Sequence, residues 1–502
     1  MSSTPQHGPE LLLAIDQGTS ATKALLVDAH GMVVASASAP VTASHPLPGW
    51  VEQSPAEIWR SVREAVRTCV ALSPSRRIAG VGLSTQRESV MMWERATGAP
   101  VGPLLGWQDR RTADLCGRLT GQGAGAQVRA VTGLPLDPMF SALKARWLLD
   151  TYDPGRLRSK RGELCLGTVD SWLVWQLSGG AGHTVEVGNA ARTQLLDIRR
   201  RQWDTELLAL FGVPAQVLPA VTPSVGPFPP LRDFAPVPDG TPVTAVLGDS
   251  HAALFGHGVF VPGRVKATYG TGSSIMGLVA DPESAAKDTR LCLTVAWDDG
   301  SPAYAVEGNI RSSGDTLRWL SRVVGRTEGE LAALAAPDAG GTHLVPAFGG
   351  LAAPWWDNDA QGLISGLSFG TGLPELACAA LESVAFQVED VIAAVDDVTG
   401  PVSVILADGG PTDNTSLMQL QADTSERVVE RPHARDLSAL GAAHMAGRAV
   451  GLFTGDQLAG MHRDSDVYRP RRSQADNRVR IAAWHEAVLR ARARPEGGKG
   501  VS

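Results

Sequence analysis

The sequence has few cysteines, no excess of positive charge and no long apolar run. Its five cysteines among 502 residues include no Cys-x-x-Cys pair, so neither a disulfide framework nor a cysteine zinc site is indicated. The net charge of −7 argues against a nucleic-acid partner, because nucleic-acid binders carry a basic footprint. No apolar run approaches the roughly 20 residues that span a bilayer, and the first ten residues lack the pattern of a signal peptide. We therefore expect a cytoplasmic protein that acts on neither nucleic acid nor membrane.

The sequence contains alternating strand and helix patterns, and it is long enough for more than one domain. With 502 residues the chain exceeds what one core usually supports. Strand patterns at 11–15 and 24–27 are followed by a helix pattern, in which Ser54 and Glu57 have the spacing of a capping box. This alternation is typical of α/β layers. The proline-rich stretch 223–242 is interpreted as a surface loop, a linker-like excursion from the first domain.

Three glycine-containing turns next to strand patterns predict a site for an anion. They lie at 16–23 (DQGTSATK), 269–274 (YGTGSS) and 406–414 (LADGGPTDN), and the third precedes a helix pattern. Backbone amides in such turns can point at phosphate oxygens, and a helix start favours a negative charge. None is a Walker loop, since GxxxxGK[ST] does not occur in the chain. One such turn alone is usually structural, whereas three favour a nucleotide site, and the likeness of the first two suggests two domains of related architecture.

One carboxylate stands at a position that needs explanation. In the stretch AVLGDSHAALFGHG, residues 245–258, an apolar run ends at Asp249 and a helix pattern follows. Asp249 is then either the N-cap of this helix, worth ~1 kcal/mol, or a catalytic carboxylate, whose loss typically costs about 10²–10⁴ in rate. The pattern is compatible with both roles.

The chain is identified as a member of the FGGY family of carbohydrate kinases and resembles glycerol kinases most. The resemblance covers residue 11 to about residue 453 and is carried by AIDQGTSATKALLVD, GWVEQSPAEIW, STQRES, GWQDRRT, LGDSHAALFG, TYGTGSS and DGGPTDN. The segment 362–382 (GLISGLSFGTGLPELACAALE) fits one family signature at every position. The segment MFSALKARWLLD, 139–150, fits the other until its last position, Thr151.

The resemblance implies an α/β protein with the actin-like ATPase (ribonuclease H-like) fold, in which two domains enclose a nucleotide cleft. Residues 1–252 would form the N-terminal domain, with the substrate site and the first phosphate loop. Residues 253–450 would form the nucleotide-binding C-terminal domain, and 451–502 a helical tail. The implied cofactors are ATP and Mg²⁺, the implied substrate is a small polyol or sugar, and a homo-oligomer, dimer or tetramer, is expected.

The family motifs also imply roles for individual residues. Asp249 matches the catalytic base, which takes the proton of the substrate hydroxyl as it attacks the γ-phosphorus, and Asp16 and Asp249 would lie at the metal. Arg87 and Glu88 match a pair that binds adjacent hydroxyls, and Trp107 matches an aromatic wall. The implied substrate-binding residues are Arg87, Glu88, Trp107, Met139, Asp249 and Ser250. The implied ATP-binding residues are Gly18, Thr19, Ser20, Lys23, Thr271, Gly272, Gly314, Arg318, Gly410 and Asn414.

Several of these positions depart from the glycerol-kinase pattern. Met139 stands where a tyrosine is usual, Ser250 and His251 replace two glutamines, and Arg318 replaces a glutamine. Lys23 replaces the more frequent arginine. The loss of a phenol and an amide removes hydrogen-bonding groups and enlarges the predicted pocket. Substrate choice is sensitive to both changes. Glycerol is therefore favoured, with a four- or five-carbon polyol or ketose (erythritol, erythrulose, xylulose, ribulose) as the alternative. His251 either reads an extra hydroxyl or is structural.

Two other classes of function share parts of these patterns. Ser368 in GLSFG matches the nucleophile elbow of serine hydrolases, with Asp408 or Asp436 and His444 downstream. However, the elbow needs a helix at the serine, and GTGLP intervenes before the next helix pattern. A non-catalytic actin- or chaperone-like ATPase would share the fold but would have no use for the substrate-side residues named above.

Overall fold

The structure is a computed structural model that describes residues 10–73 and 77–494. The predicted absence of a leader depends on residues 1–9, which lie outside the described residues. Within the described ranges, no helix is long and apolar enough to cross a membrane. All five cysteines are buried and free.

Strands and helices alternate along the chain, as the sequence predicts. The strands are β1 (Leu11–Gln17), β2 (Ala21–Val27), β3 (Val33–Pro40), β4 (Ala43–Ser44), β5 (Glu52–Gln53), β6 (Ile78–Thr85), β7 (Val90–Glu94), β8 (Leu104–Leu105), β9 (Leu164–Thr168), β10 (Thr184–Glu186), β11 (Leu196–Asp197), β12 (Gln202–Trp203), β13 (Ala220–Thr222), β14 (Val243–Gly248), β15 (Arg264–Tyr269), β16 (Ser273–Val279), β17 (Cys292–Asp298), β18 (Pro302–Ile310), β19 (His343–Val345), β20 (Leu363–Ser365), β21 (Val404–Asp408), β22 (Val428–Pro432) and β23 (Ser465–Tyr468). The helices are α1 (Pro55–Ala71), α2 (Ala113–Gly121), α3 (Ala124–Thr132), α4 (Ser141–Tyr152), α5 (Leu157–Lys160), α6 (Val169–Leu177), α7 (Val187–Ala191), α8 (Thr205–Phe211), α9 (Asp249–Gly256), α10 (Pro282–Ala285), α11 (Gly314–Val324), α12 (Glu328–Leu334), α13 (Leu373–Thr399), α14 (Thr415–Ser425), α15 (Leu437–Ala449), α16 (Gly455–Gly460) and α17 (Gln474–Arg492). Short 3₁₀ turns lie at Ala215–Val217 and Gly410–Asp413.

The chain divides into two compact units that are not contiguous in sequence. Unit 1 comprises Met1–Phe260, Leu293–Ala305 and Asp436–Met461. Unit 2 comprises Val261–Cys292, Val306–Arg435 and His462–Ser502. The predicted domains 1–252, 253–450 and 451–502 are each one continuous segment of the sequence. Each structural unit instead combines three segments, and the segments of the two units alternate along the chain.

The larger sheet of unit 1 has the strand order β14-β6-β1-β2-β3. β1 and β2 form an antiparallel hairpin, which confirms the strands predicted at 11–15 and 24–27. β6 runs parallel to β1 on one side and to β14 on the other. The carboxyl ends of these three parallel strands therefore lie at one edge of the sheet.

Helix α1 covers β2 and β3 and begins where the sequence predicts. The hydroxyl of Ser54 accepts the N–H of Glu57, as in a capping box. The reciprocal half of the predicted box is wrong, because the Glu57 carboxylate instead accepts the N–H and the hydroxyl of Thr42. Ile58 and Val62, one turn apart, are fully buried on the inner face of the helix.

Helix α15 comes late in the chain but packs on β1, β6, β14 and α9 of unit 1. Its approach to α9 is close because two glycines face each other there. A Cβ at Gly441 would lie 1.8 Å from the carbonyl oxygen of Ala252, and one at Gly256 would lie 2.5 Å from that of Leu437. This long-range contact explains why Asp436–Met461 belongs to unit 1.

The proline-rich stretch 223–242 carries no helix or strand, as predicted, but the prediction of a surface loop is wrong. Leu231, Phe234 and Val237 are buried in the main core of unit 1. The Phe234 ring lies 5.5 Å from that of Trp59 on α1. These side chains fill space that helices and strands leave open, so the stretch is part of the core.

Unit 2 repeats the arrangement of a glycine hairpin beside a parallel strand. β15 and β16 form an antiparallel hairpin, and β21 runs parallel to β15 on its other side. β22 continues parallel to β21, and β23 closes the edge antiparallel to β22. The long helix α13 packs on β16 and α14. The likeness of the first two turns predicted this related architecture.

Replacing Phe234 by alanine tests the assignment of the proline-rich stretch to the core. Removing a buried aromatic side chain should lower the free energy of unfolding by about 3–5 kcal/mol, measured by urea denaturation. Arg232→Ala, an exposed position in the same stretch, is the control and should change it by less than about 0.5 kcal/mol. Equal effects of the two substitutions would contradict a core role.

Candidate active site

The strand register of unit 1 collects the predicted catalytic and substrate residues at one edge of its sheet. Asp16 on β1 pairs in register with Ser84 on β6. Gly248, the last residue of β14, pairs with Thr85 at the end of β6. Arg87 follows β6 and Asp249 follows β14, so both side chains start from the strand ends beside Asp16.

Asp249 is the first residue of α9 and not its N-cap. Gly248 occupies the N-cap position, so the capping alternative for Asp249 is wrong. The Asp249 side chain is 36% exposed, and its Oδ1 lies 3.3 Å from Nε of the buried Arg87. Oδ1 also accepts the N–H of Ser250 at 2.6 Å, and the Ser250 side chain is half-buried. The carboxylate is thus held in place while part of it faces solvent.

Asp16 lies deeper, and its surroundings favour a nearby cation. Burial raises the pKa of Asp16 to about 7, a hydrogen bond from Ser84 opposes the shift, and the charge of Asp249 adds to it. The Ser84 hydroxyl donates to Oδ1 at 2.8 Å. No cluster of three or more His, Cys, Asp or Glu side chains suited to a metal occurs among residues 10–73 and 77–494. Two carboxylates fit Mg²⁺, which takes most of its ligands from water and phosphate.

Lys23, the predicted phosphate-loop cation, already has a carboxylate partner. Its ammonium lies 2.5 Å from Oδ1 of Asp436, and both side chains are partly exposed. Asp436 caps the start of α15 with a left-handed backbone, φ 61°. A phosphate bound here would share Lys23 with Asp436.

The turn between β1 and β2 is tied to the predicted aromatic wall. The N–H of Gly18 donates to the carbonyl of Ala21 at 3.0 Å, which closes the turn. The indole N–H of the half-buried Trp107 donates to the Thr19 hydroxyl at 3.1 Å. Ser20 is exposed at the tip of the turn. Trp107 and the predicted phosphate loop therefore adjoin within unit 1.

Three buried glutamines form a hydrogen-bonded network that holds this turn. The side-chain amide of Gln86 donates to Oε1 of Gln17 at 3.0 Å and to Oε1 of Gln53 at 2.9 Å. Gln53 in turn donates to the carbonyl of Thr19 at 2.7 Å. The sequence analysis did not assign these residues a role, and the polar end of a buried strand (STQRES) is the signal that marks Gln86.

Arg87 and Glu88 are adjacent in the sequence, and each contacts a different buried partner. Nη1 of Arg87 lies 3.3 Å from Nε2 of the fully buried His251. Oε1 of Glu88 accepts Nε of Arg192 at 2.6 Å. Glu88 has a left-handed backbone, φ 62°, a strained conformation that concentrates at functional sites. No sequence motif pointed to Arg192.

Met139, the residue that replaces a tyrosine, is half-buried and precedes α4. Its carbonyl accepts Nζ of Lys144 at 2.7 Å, and Lys144 also donates to the carbonyl of Gly106 at 2.9 Å. Gly106 adjoins Trp107, so Lys144 links the backbone at two of the predicted substrate-binding positions. Burial lowers the pKa of Lys144 to about 7.

In unit 2 the second glycine turn joins the start of α11. The carbonyl of Thr271 accepts the N–H of Ser313 at 2.9 Å, and that of Gly270 accepts the N–H of Gly314 at 2.9 Å. A Cβ at Gly272 would lie 2.3 Å from the carbonyl oxygen of Ile310. A side chain at this position would therefore collide with the backbone, so glycine allows the turn and the end of β18 to approach closely.

The remaining predicted nucleotide-binding residues are Gly410, Asn414 and Arg318. A Cβ at Gly314 would lie 3.4 Å from the ring of Pro411, so the turn containing Gly410 adjoins it. Asn414 is the N-cap of α14, and its Oδ1 accepts the N–H of Ser416 at 3.0 Å. Arg318 is half exposed, and its guanidinium is bound by Asp315 at 2.6 Å and Glu328 at 3.2 Å.

The arrangement around Ser368 does not form a nucleophile elbow. Ser368 is exposed, its hydroxyl lies 3.3 Å from that of Thr371, and α13 begins only at Leu373. Asp436, one of the candidate triad acids, is paired with Lys23. The serine-hydrolase alternative therefore lacks its strand–serine–helix geometry.

Comparison with known proteins identifies the family. Residues 11–256 match the N-terminal domain of the FGGY family of carbohydrate kinases, and residues 265–450 match its C-terminal domain. The chain belongs to this family. It is therefore a phosphotransferase with the two-domain α/β, actin-like ATPase fold that characterises FGGY kinases.

Relatives of this FGGY kinase differ in the substrate that their names state. The chain is 42% identical to the apulose kinase of Pectobacterium atrosepticum, over 97% of this chain and 99% of that protein. It is 44% identical to the glycerol kinase of Alkalilimnicola ehrlichii, over 96% and 98%. The relatives thus establish a carbohydrate kinase and leave open whether the acceptor is a polyol or a ketose.

Solved structures agree on the fold. The glycerol kinase of Plasmodium falciparum, solved with ADP, is 27% identical with a TM-score of 0.90, covering 98% of this chain and 100% of that chain. The gluconate kinase of Lactobacillus acidophilus is 21% identical with a TM-score of 0.85, over 96% and 97%, which shows the fold alone. The first of these structures thus shows a kinase of this fold with an adenine nucleotide bound.

Gly272→Ala tests the predicted role of the second turn of the FGGY kinase. Because the added Cβ would collide with a backbone oxygen of Ile310, the turn must shift, and we expect the KM for ATP to rise about tenfold or more. The rate of ADP release against ATP concentration measures it. Gly329→Ala, where a Cβ meets nothing within 4 Å, is the matched control. An unchanged KM in both variants would contradict the assignment.

Arg318→Gln tests whether Arg318 contacts the nucleotide. Because the guanidinium is half exposed and engaged by two carboxylates, and such surface pairs are worth about 0–1 kcal/mol, we expect the KM for ATP to stay within about threefold of wild type. Arg322→Gln on the same helix is the control. A tenfold rise specific to Arg318→Gln would assign Arg318 to the ATP site.

Proposed function

We propose that this FGGY kinase transfers the γ-phosphoryl group of ATP to a terminal hydroxyl of a small polyol, with glycerol as the first candidate. The observation that carries the proposal is the cluster of Asp249, Arg87 and Glu88 at the carboxyl edge of the unit 1 sheet. One carboxylate in it is reachable from solvent, whereas the arginine and the glutamate are buried and held by other side chains. A filament-forming ATPase would have no use for such a cluster.

Each residue of the cluster has a distinct task in the proposed reaction. Asp249 accepts the proton of the attacking hydroxyl, and its exposed part gives it access to that hydroxyl. Arg87 and Glu88 bind neighbouring hydroxyls by donating and accepting hydrogen bonds, respectively. Trp107 covers the carbon backbone of the substrate and, through Thr19, adjoins the first phosphate loop.

Asp16 and Asp249 are the residues that would hold Mg²⁺. The fit is chemical, since Asp16 is a buried carboxylate whose pKa is raised to about 7 by burial and by the charge of Asp249. Bound there with ATP, Mg²⁺ would neutralise charge that develops on the transferred group. Asp16, held by Ser84, would keep a fixed position beside the nucleotide phosphates.

A second candidate substrate is a four- or five-carbon polyol or ketose. Met139 and Ser250 line the predicted pocket where glycerol kinases have larger hydrogen-bonding groups, and a roomier pocket fits a longer acceptor. One relative of nearly full length is named apulose kinase. We therefore include erythritol, erythrulose, xylulose, ribulose and apulose with glycerol in the test.

A reducing, cytoplasmic location is part of the proposal, supported by five buried cysteines that form no disulfide.

A coupled assay of ADP release tests the function directly. With ATP and Mg²⁺, we expect glycerol or one of the longer acceptors to raise ADP release well above the acceptor-free rate. Asp249→Asn should lower kcat by about 10²–10⁴ while the protein remains folded, because Asp249 does not cap α9. Asp456→Asn, an exposed carboxylate in the first turn of α16, controls for loss of a charge at a helix start.

The outcomes separate the candidates. If glycerol has the highest kcat/KM, Met139 and Ser250 are tolerated variations of a glycerol kinase. If a ketose wins, these two positions have retuned the pocket. If no acceptor raises ADP release above the acceptor-free rate, or Asp249→Asn keeps full activity, the proposed function is wrong.

A further inference from the structure

Arg192 is a buried cation of unit 1 that the proposed reaction does not yet use. Its side chain has no exposed surface, and its Nε lies 2.6 Å from Oε1 of Glu88, which is itself 6% exposed. The two residues are 104 positions apart in the sequence. A buried ion pair is costly to desolvate and is weak evidence for stability by itself. Because one member of this pair, Glu88, is a predicted substrate residue, we looked for a functional role of the other member, Arg192.

We propose that Arg192 is a positioning residue that fixes the carboxylate of Glu88 for a substrate hydroxyl and thereby sets the KM for the acceptor. The inference rests on the proposed function, in which Glu88 binds that hydroxyl. A carboxylate has two oxygens with acceptor capacity. Arg192 engages Oε1, and in the proposal Oε2 is the oxygen that accepts the substrate hydroxyl.

The position of the Arg192 guanidinium is fixed by helix α7 and by the Phe140 ring. Arg192 directly follows the short helix α7, whose first N–H groups, those of Gly188 and Asn189, are both accepted at 2.8 Å by the buried carboxylate of Glu186. Glu186 also accepts the hydroxyl of Ser224 at 2.6 Å. On the other side, the Arg192 guanidinium lies 5.1 Å from the ring centre of Phe140, a cation–π distance.

Glu88 is fixed at its backbone as well. Its carbonyl accepts the hydroxyl of Ser141 at 2.9 Å, and its φ of 62° places it in the left-handed region that bulky residues rarely adopt. With the backbone fixed, the remaining freedom is the side-chain rotamer. Arg192 restricts this rotamer, since it bonds one carboxylate oxygen at 2.6 Å.

Arg192→Met removes the cation and keeps a long apolar side chain over Phe140. A small misplacement of a group that positions the substrate can cost on the order of 100-fold, and we expect the KM for the acceptor to rise about 10- to 100-fold. The KM for ATP should change less than about threefold, since binding of the acceptor alone is affected. Arg192→Lys keeps the charge but not the geometry of Nε, and should give an intermediate acceptor KM.

A double-mutant cycle with Glu88→Gln separates positioning from a general loss of structure. If Arg192 acts through Glu88, Arg192→Met changes the acceptor KM by less than about threefold in the Glu88→Gln background. The control is Arg427→Met in unit 2, which breaks a comparable part-buried pair with Glu389, 2.7 Å in length. The control should lower the unfolding midpoint without changing the acceptor KM. If Arg192→Met does not fold, the cycle is run with Arg192→Lys.

Two results overturn the inference while leaving the proposed function intact. One is an acceptor KM within about threefold of wild type for both Arg192 variants. The other is an effect of Arg192 substitution that is equally large with and without the Glu88 carboxylate. Failure of the proposed function looks different, because then wild type itself shows no acceptor-dependent ADP release, and the inference falls with it.

Discussion

Parallel pairing of β1, β6 and β14 is the constraint on which the candidate site of unit 1 depends. Because the three strands share one direction, the residues that end or follow them emerge at the same edge of the sheet. Asp16, Arg87 and Asp249 lie more than 230 positions apart from first to last in the numbering of the chain, and register alone brings them together. A slip of β14 by one residue would turn its side chains to the opposite face and carry Asp249 away from Arg87.

The loops at this edge are held by buried polar side chains more than by apolar packing. Gln86 joins Gln17 and Gln53 beneath the first turn, and Lys144 joins two loop carbonyls. Each such group would be expensive to bury without its partners, so the network is stable only in one arrangement. Fully satisfied polar networks rigidify their surroundings, which is what a site needs to hold donors and acceptors at fixed distances.

The parts of the fold that the sequence predicts correctly are those fixed by neighbouring residues. The hairpin turns, the cap at Ser54 and the helix after Asp249 depend on a few adjacent positions, and all are present. The exact start of α9 is not predictable in this way, because a Gly-Asp pair can begin a helix at either residue. Family motifs located further candidate residues, but a motif gives no partner, as the pairing of Lys23 with Asp436 illustrates.

What the sequence does not predict is set by contacts between distant segments. The ion pair of Glu88 with Arg192 joins residues 104 positions apart, and no local pattern marks either as the partner of the other. The burial of Phe234 follows from the space beside Trp59 and not from the composition of its own stretch, which is typical of a surface loop. Both cases are decided by tertiary packing, which overrides local preference.

Burial also divides the tasks of the two carboxylates at the sheet edge. Asp16 belongs to a strand, is held by Ser84 and is largely out of contact with solvent, so it is suited to hold a fixed position near phosphate and metal. Asp249 starts a helix whose cap is another residue, and a third of its side chain is reachable. A general base has to touch the proton that it removes, so the proposed reaction assigns that task to Asp249 and a positioning task to Asp16. The two carboxylates differ in exposure because Asp16 lies within a strand, whereas Asp249 lies just beyond the end of one.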